Sequence, residues 1–432
     1  MIKFNLRSLG IVAAKGEEEL VSRVLDTPIS EAEFTFLSDH ARHIGAGETY
    51  KDVMRTFPTA EGTPAGFRRD LEMLPDGLVQ VELVRDIAYD KNGMRRPTNV
   101  MFSADSANPY EVAPISPFLA NLTCNPGIVY DLFINNPKAN VGGKFKDRDE
   151  VMAEIGRVLG PGCDISVEFN NPFESDFNVL LEEAEKFREM FSKYRVVIKV
   201  PHTGAVTPEN VEQLLSGDKT LDKAFRDVGT EDALRGHILA LKLQQLGFRI
   251  NFTLMFEPYQ AQFALQARPY FINSFIRHRL VQTSGIKGFL DAFYATDDTT
   301  HLEKLRELFL KNDYYAPSQA NTDLLVVKKY GEDIVRYRHF EDEEGQDGLD
   351  GFRHNLRVLR NCNMPDTKLI ICSMEGEYNY PDIDKVLTEP EFENMNDKIV
   401  ITAEPNYIAR FTSTNQVTTY QRRFMNAAKG MK

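Results

Sequence analysis

Residues 164–203 read DISVEFNNPFESDFNVLLEEAEKFREMFSKYRVVIKVPHT. Two short apolar runs, Asp164 to Phe169 and Arg195 to Val200, bracket a longer segment, Phe177 to Tyr194, where apolar residues recur at spacings of three and four beside charged ones. Short runs of that kind read as buried strands, and the longer periodic run reads as an amphipathic helix. Strand, helix, strand is the repeating unit of a parallel α/β sheet.

The same alternation extends in both directions. Further candidate strands are Asn99 to Ala104, Leu119 to Thr123, Arg249 to Phe256, Tyr270 to Phe275, Lys368 to Cys372 and Lys398 to Thr402. With the first two they make the eight that close one (β/α)8 barrel. Asp147 to Leu159 and Glu231 to Leu246 show the helical spacing expected of an outer ring. The fold expected is therefore an α/β TIM barrel over residues 98–432, preceded by an extension over residues 1–97. Helical patterning at Glu17 to Leu25 and Glu31 to Ala41, before a Pro/Gly-containing stretch at Pro58 to Gly66, makes that extension mainly helical and packs it on the barrel. A long insertion, residues 279–365, follows the sixth strand; its acidic run, Glu341 to Asp350, reads as a solvated loop, and loops at this face also serve as lids.

A chain of 432 residues with 42% hydrophobic and 27% charged residues can bury a substantial core. Its formal net charge of −13 opposes non-specific binding to nucleic acid, because phosphates are repelled by an acidic surface. The four cysteines, Cys124, Cys163, Cys362 and Cys372, lack CxxC spacing, so neither a zinc site nor a disulfide framework is expected. The first twenty residues lack the apolar core of a signal peptide, and no apolar run approaches the roughly 20 residues that span a bilayer. A cytoplasmic protein without membrane or nucleic-acid partners is expected.

Lys199 lies in the apolar run RVVIKV, near the C-terminal end of its strand. Inside a barrel, burial disfavours the ammonium form; a lowered pKa would leave a neutral amine able to attack a carbonyl. A strand lysine can equally snorkel to the surface, so the residue needs company. Polar residues recur at the same height on other strands: Asp105 after VMFSA, Asn125 after LANLTC, Glu168 in DISVEF, and Asn251 and Thr253 in INFTLMF. Strand ends on one face of a barrel converge on one site, so acids and amides from several strands can surround one carbonyl. Each has a simpler role open to it: Asn125-Pro126-Gly127 is also a turn sequence, and Asp105 can cap a helix.

These residues carry a resemblance to the transaldolase family of Schiff-base-forming class I aldolases. LTCNPGIV (122–129) resembles the family's Thr-(Thr/Ser)-Asn-Pro motif, and VVIKVPHT (196–203) the strand that bears its lysine. GFRINFTLMFEPYQA (247–261) is similar to Gly-x-x-x-Asn-x-Thr-Leu-x-Phe followed by Gln-Ala, and it is the most specific of the three. VMFSAD, DISVEF, YFINSF, TKLIICS and KIVITAEP fall where the other strands would be, so the likeness runs from about Val100 to Arg410. The resemblance implies a transferase of carbohydrate metabolism, of the pentose phosphate type, that moves a dihydroxyacetone unit from a ketose to an aldehyde. It implies Lys199 as the imine-forming nucleophile, Asp105 as the base for the hydroxyl on the fourth carbon, and Glu168 with Thr253 and a water as the proton shuttle. Asn125 and Asn251 would hold the hydroxyls of the retained unit. Neither metal nor cofactor is implied; the partners are sugars or sugar phosphates, with a homo-oligomer open.

Two segments depart from the family. Aligning YFINSFIRHR (270–279) with Ile-Ser-Pro-Phe-x-Gly-Arg puts Asn273 at the serine and His278 at the phosphate-gripping arginine, with Arg277 and Arg279 beside it. An amide still hydrogen-bonds a hydroxyl, but a histidine grips an anion less well. TKLIICSMEG (367–376) retains Ser373 but places Glu375 where the second phosphate arginine stands. Phe275 and Glu168 match the transferases, whereas the related sugar aldolases carry tyrosine and glutamine there. A class I aldolase releasing dihydroxyacetone and a non-catalytic sugar-binding barrel are the competing expectations.

Overall fold

The computed structural model describes residues 3–191, 195–206, 228–373, 376–410 and 413–430. The extension contributes β1 (Phe4–Asn5), β2 (Val12–Ala13), β3 (Pro28–Ile29), β4 (His43–Ala46), β5 (Phe67–Met73) and β6 (Leu78–Arg85). Next come β7 (Met101–Asp105), β8 (Leu119–Thr123), β9 (Asp164–Glu168), β10 (Arg195–Pro201), β11 (Ile250–Met255), β12 (Phe271–Ile276), β13 (Lys368–Ser373) and β14 (Ile399–Ala403). β7 to β14 close into a barrel in which every neighbouring pair is parallel, β14 meeting β7. The fold is a (β/α)8 barrel, and each strand begins and ends within two residues of the run read from the sequence, the usual fraying of element ends.

Side chains along each strand alternate between two packing environments. Ile165, Val167, Ile198, Val200, Ile250, Phe252, Leu369 and Ile371 join the cluster shared with the surrounding helices. Their alternates face the barrel interior, where Met101, Ala120, Val197, Phe271, Ile370 and Val400 form an apolar floor capped by Ile87. The helices start where their caps put them: Asp147 accepts from Glu150 N before Arg148–Leu159, and Asp176 from Asn178 N before Phe177–Met190.

The extension is more than the helices its sequence suggested. It holds a four-stranded sheet, ordered β2-β4-β6-β5, with β5 and β6 an antiparallel hairpin. Val79, Val81 and Leu83 on β6 are buried in a core of the extension's own, with Ile44, Tyr50 and Phe67. The extension seals the barrel floor through Arg195. This fully buried side chain reaches Asp164 at 3.0 Å and donates to the carbonyls of Gly66 (3.0 Å), Gly162 (2.8 Å) and Asp86. The carbonyls of Gly66 and Asp86 belong to the extension, so a charge that would be costly inside the barrel is satisfied from outside it.

The insertion is helical. His278–Thr296, Thr300–Lys311 and Leu324–Tyr337 pack around Ile286, Leu290, Leu305, Phe309 and Val327. Asp350–Arg360 then returns to the barrel, where Asn355 donates to Ser274 Oγ on β12 at 3.0 Å. The acidic run, expected as a solvated loop, is pinned: Glu344 pairs with Arg357, Asp347 with Arg353 and Lys385, and Asp350 with Arg279. Among the described residues no helix is long and apolar enough to cross a membrane.

Candidate active site

Register decides which side chains meet. Lys199 on β10 is paired with Glu168 on β9 and with Asn251 on β11, so the three project inward side by side at one height. On the far side of the barrel Asp105 is paired with Thr123. Lys199 is only 4% exposed; its Nζ lies 3.5 Å from Glu168 Oε2 and donates to the carbonyl of Cys124 at 3.3 Å.

Burial alone would lower the pKa of Lys199, as expected from the sequence. Here the expectation fails, because the charges of Glu168 and Asp105 outweigh desolvation and the net shift is upward. That shift favours the ammonium form of Lys199, with the Glu168 carboxylate 3.5 Å away and the charge of Asp105 acting from farther off. Those carboxylates are stronger bases than usual. Burial raises Glu168 against the opposing pull of Lys199, and burial pushes Asp105 up to about 6. Glu168, the acceptor beside Lys199, therefore has a raised proton affinity, and Asp105 Oδ1 has no hydrogen-bond partner among the described residues.

Thr253 is buried where β11 departs from regular pairing: the register with β12 shifts between Phe252 and Met255, and Leu254 adopts a φ of 64°. A left-handed leucine costs on the order of 1 kcal/mol or more, and such strain gathers where a side chain must be re-aimed. Asn251 donates to Ser166 Oγ at 3.1 Å. Asn125 holds the turn that its sequence also allowed, its Oδ1 accepting from Ile128 N at 2.9 Å, directly after the Cys124 carbonyl that meets Lys199. Asn273 is buried on β12, its Oδ1 accepting the thiol proton of Cys372 at 3.1 Å. Burial keeps that thiol protonated and hence a donor. Phe275 stacks on Phe256 with centroids 4.7 Å apart.

The arginines beside His278 are engaged elsewhere. Arg279 is buried against Glu257 (2.8 Å) and Asp350 (3.0 Å), which makes it a tie between the barrel and the insertion rather than a hand for the substrate. Arg277, at a φ of 65°, pairs with Asp382 at 3.0 Å and lies over the ring of Tyr378. Ser373 ends β13; Glu375 falls outside the described residues.

Sequence reasoning missed the layer beneath the site. Thr402 donates to Ser103 Oγ (3.1 Å), Asn121 to Ser103 Oγ (2.8 Å), Ser166 to Asn121 Oδ1 (3.2 Å), and Asn251 to Ser166. This buried polar chain links five strands and fixes the orientation of Asn251. Stepping back two residues from Asp105 and from Glu168 finds Ser103 and Ser166, so strand alternation was a usable signal. Cys372, alternating with Ile370 on β13, was another.

The strand ends bring a buried lysine within 3.5 Å of one carboxylate and into the field of a second, the groups that aldolase-type chemistry uses. Residues 102–287 match the family model for Transaldolase/Fructose-6-phosphate aldolase, a match that supports an activity of the class I aldolase kind. The matched stretch contains Asp105, Asn125, Glu168, Lys199, Asn251, Thr253, Asn273 and Phe275. No curated protein matches the chain.

Proposed function

We propose that this chain transfers a dihydroxyacetone unit from a ketose to an aldehyde through an imine on Lys199. The observation that carries the reading is Lys199 lying 3.5 Å from Glu168, with Asp105 close enough to shift its pKa.

Glu168 takes a proton from the ammonium, and the freed amine adds to the ketose carbonyl. The carbinolamine loses its hydroxyl as water, the proton coming from Glu168 through a water held with Thr253, and an iminium remains. Asp105 removes the proton of the hydroxyl on the fourth carbon; that oxygen becomes a carbonyl, the bond between the third and fourth carbons breaks, and its electron pair neutralises the iminium as an enamine. The first aldehyde leaves. The enamine then adds to the acceptor aldehyde, Asp105 returns the proton to the new alkoxide, and hydrolysis frees Lys199. Asn125, Asn251 and Asn273 hold the hydroxyls of the retained unit. The same reading places the enzyme in the cytoplasm, acting on small sugars, with residues 1–97 as an extension and 98–432 as the catalytic barrel.

Glu168 and Phe275 favour transfer over release. The test is the fate of the three-carbon unit: with a labelled ketose and no acceptor, transfer predicts at most one equivalent retained per chain. Continuous accumulation of free dihydroxyacetone would make the enzyme an aldolase instead.

A further inference from the structure

Above the level of Lys199 the strand ends carry a row of aromatic rings. Phe256 follows β11 directly, Phe275 lies near the end of β12, and His278 opens the next helix. Phe256 stacks on Phe275 at 4.7 Å and 23°, and also meets His278 at 4.8 Å and 49°. All three are only partly buried, so the row keeps accessible surface. Because a ketose bound through its second carbon at Lys199 points its remaining carbons toward the mouth of the barrel, the row meets the far end of the substrate.

Among the described residues, the arginines around the row already have carboxylate partners. Arg277 pairs with Asp382, Arg279 with Glu257 and Asp350, and Arg338 with Glu257 at 2.9 Å. A phosphate arriving here would have to draw these guanidiniums away from buried or half-buried carboxylates, leaving those carboxylates uncompensated. His278 offers no charge in exchange, since burial and then the nearby Arg338 hold its pKa below the ordinary value. An uncharged molecule loses nothing in this environment and gains contact with the rings through its C–H faces or its own ring.

We propose that Phe256, Phe275 and His278 form a platform that selects uncharged aldehydes and unphosphorylated ketoses. This deepens the proposed transfer reaction and rests on it. The experiment uses the full chain with a ketose donor and compares D-glyceraldehyde, D-glyceraldehyde 3-phosphate and benzaldehyde as acceptors, alongside borohydride trapping of dihydroxyacetone, which is too short to need the platform. The expected result is a kcat/KM at least tenfold higher for the uncharged acceptors than for the phosphorylated one. Phe256→Leu should lower kcat/KM for the uncharged acceptors by about 2- to 10-fold, the size of one lost aromatic contact. Phe256→Tyr, which keeps the ring, should preserve the preference, and His278→Arg should shift it toward the phosphorylated acceptor. Trapping of dihydroxyacetone together with an equal or higher kcat/KM for the phosphorylated acceptor would overturn the platform and leave the transfer reading intact. No trapping of dihydroxyacetone at Lys199 would overturn the transfer reading and the platform with it.

Discussion

Replacing Glu168 by glutamine removes a negative charge 3.5 Å from Lys199 Nζ while keeping the shape of the side chain. At that separation an effective dielectric between 20 and 80 makes the attraction worth about 1 to 5 kcal/mol. The ammonium form loses that support, so the fraction of neutral amine at a given pH rises by about tenfold or more. Asp105 remains and keeps the change below the upper figure. Competitive labelling with acetic anhydride across pH, read at Lys199 by mass spectrometry, should show the amine becoming reactive at lower pH in Glu168→Gln. Yet imine formation with a ketose should slow by about 100-fold or more, because a better nucleophile has lost the group that moves its protons. The two changes run in opposite directions, which no general loss of structure would produce. An unchanged labelling profile would refute the charge pairing, and an unchanged rate of imine formation would refute the proton-transfer role.

Asp105 must be ionised to act as a base, so turnover should fall as pH drops below about 6. Its folded pKa lies above the unfolded one, so its contribution to stability is fully present below the unfolded value and is lost as pH rises through about 6. Asp105→Asn should therefore be inactive but up to about 3 kcal/mol more stable than the parent at pH 8, the gain vanishing near pH 4 in urea titrations; a gain that grows toward acid pH would reverse this argument. Gly236 sits on the helix Val228–Gln245, where an added Cβ would lie 2.0 Å from the carbonyl of Pro201, two residues beyond Lys199. Gly236→Ala should cost about 1 to 3 kcal/mol and slow ketose trapping, since either the helix or the lysine strand must give way; parent-like stability would mean that the contact relaxes freely. Arg195→Met leaves Asp164 buried without its 3.0 Å partner and should lower unfolding stability by about 3 to 5 kcal/mol, with a midpoint unchanged in urea counting against the floor plug.

The barrel was legible because each strand is buried on both faces, so Leu119–Thr123 or Ile399–Ala403 appears as a short, uncharged, mostly apolar run between helical stretches. The extension was harder, although its signal was present: Val79, Val81 and Leu83 alternate with Gln80 and Glu82 after the turn residues Asp76 and Gly77. That period of two in FRRDLEMLPDGLVQVELVR is the hairpin's signal, and the helical patterns upstream mask it. Lys199, Glu168 and Asn251 could be named from their strands, since position along a strand fixes height and face in a barrel. The sign of the pKa shift at Lys199 could not. It depends on a distance to Glu168 that only the closed barrel sets, and burial alone points the other way. Arg279 shows the same limit from the other side, because its partners Glu257 and Asp350 are brought to it by the barrel and the insertion together.

The imine itself can be caught. Incubating the full chain with dihydroxyacetone or fructose, reducing with borohydride and mapping the adduct by mass spectrometry should place a single modification on Lys199, absent from Lys199→Ala, which should remain folded. An adduct on another lysine such as Lys242, its persistence in Lys199→Ala, or no adduct with any ketose would contradict the assignment of Lys199 as the nucleophile.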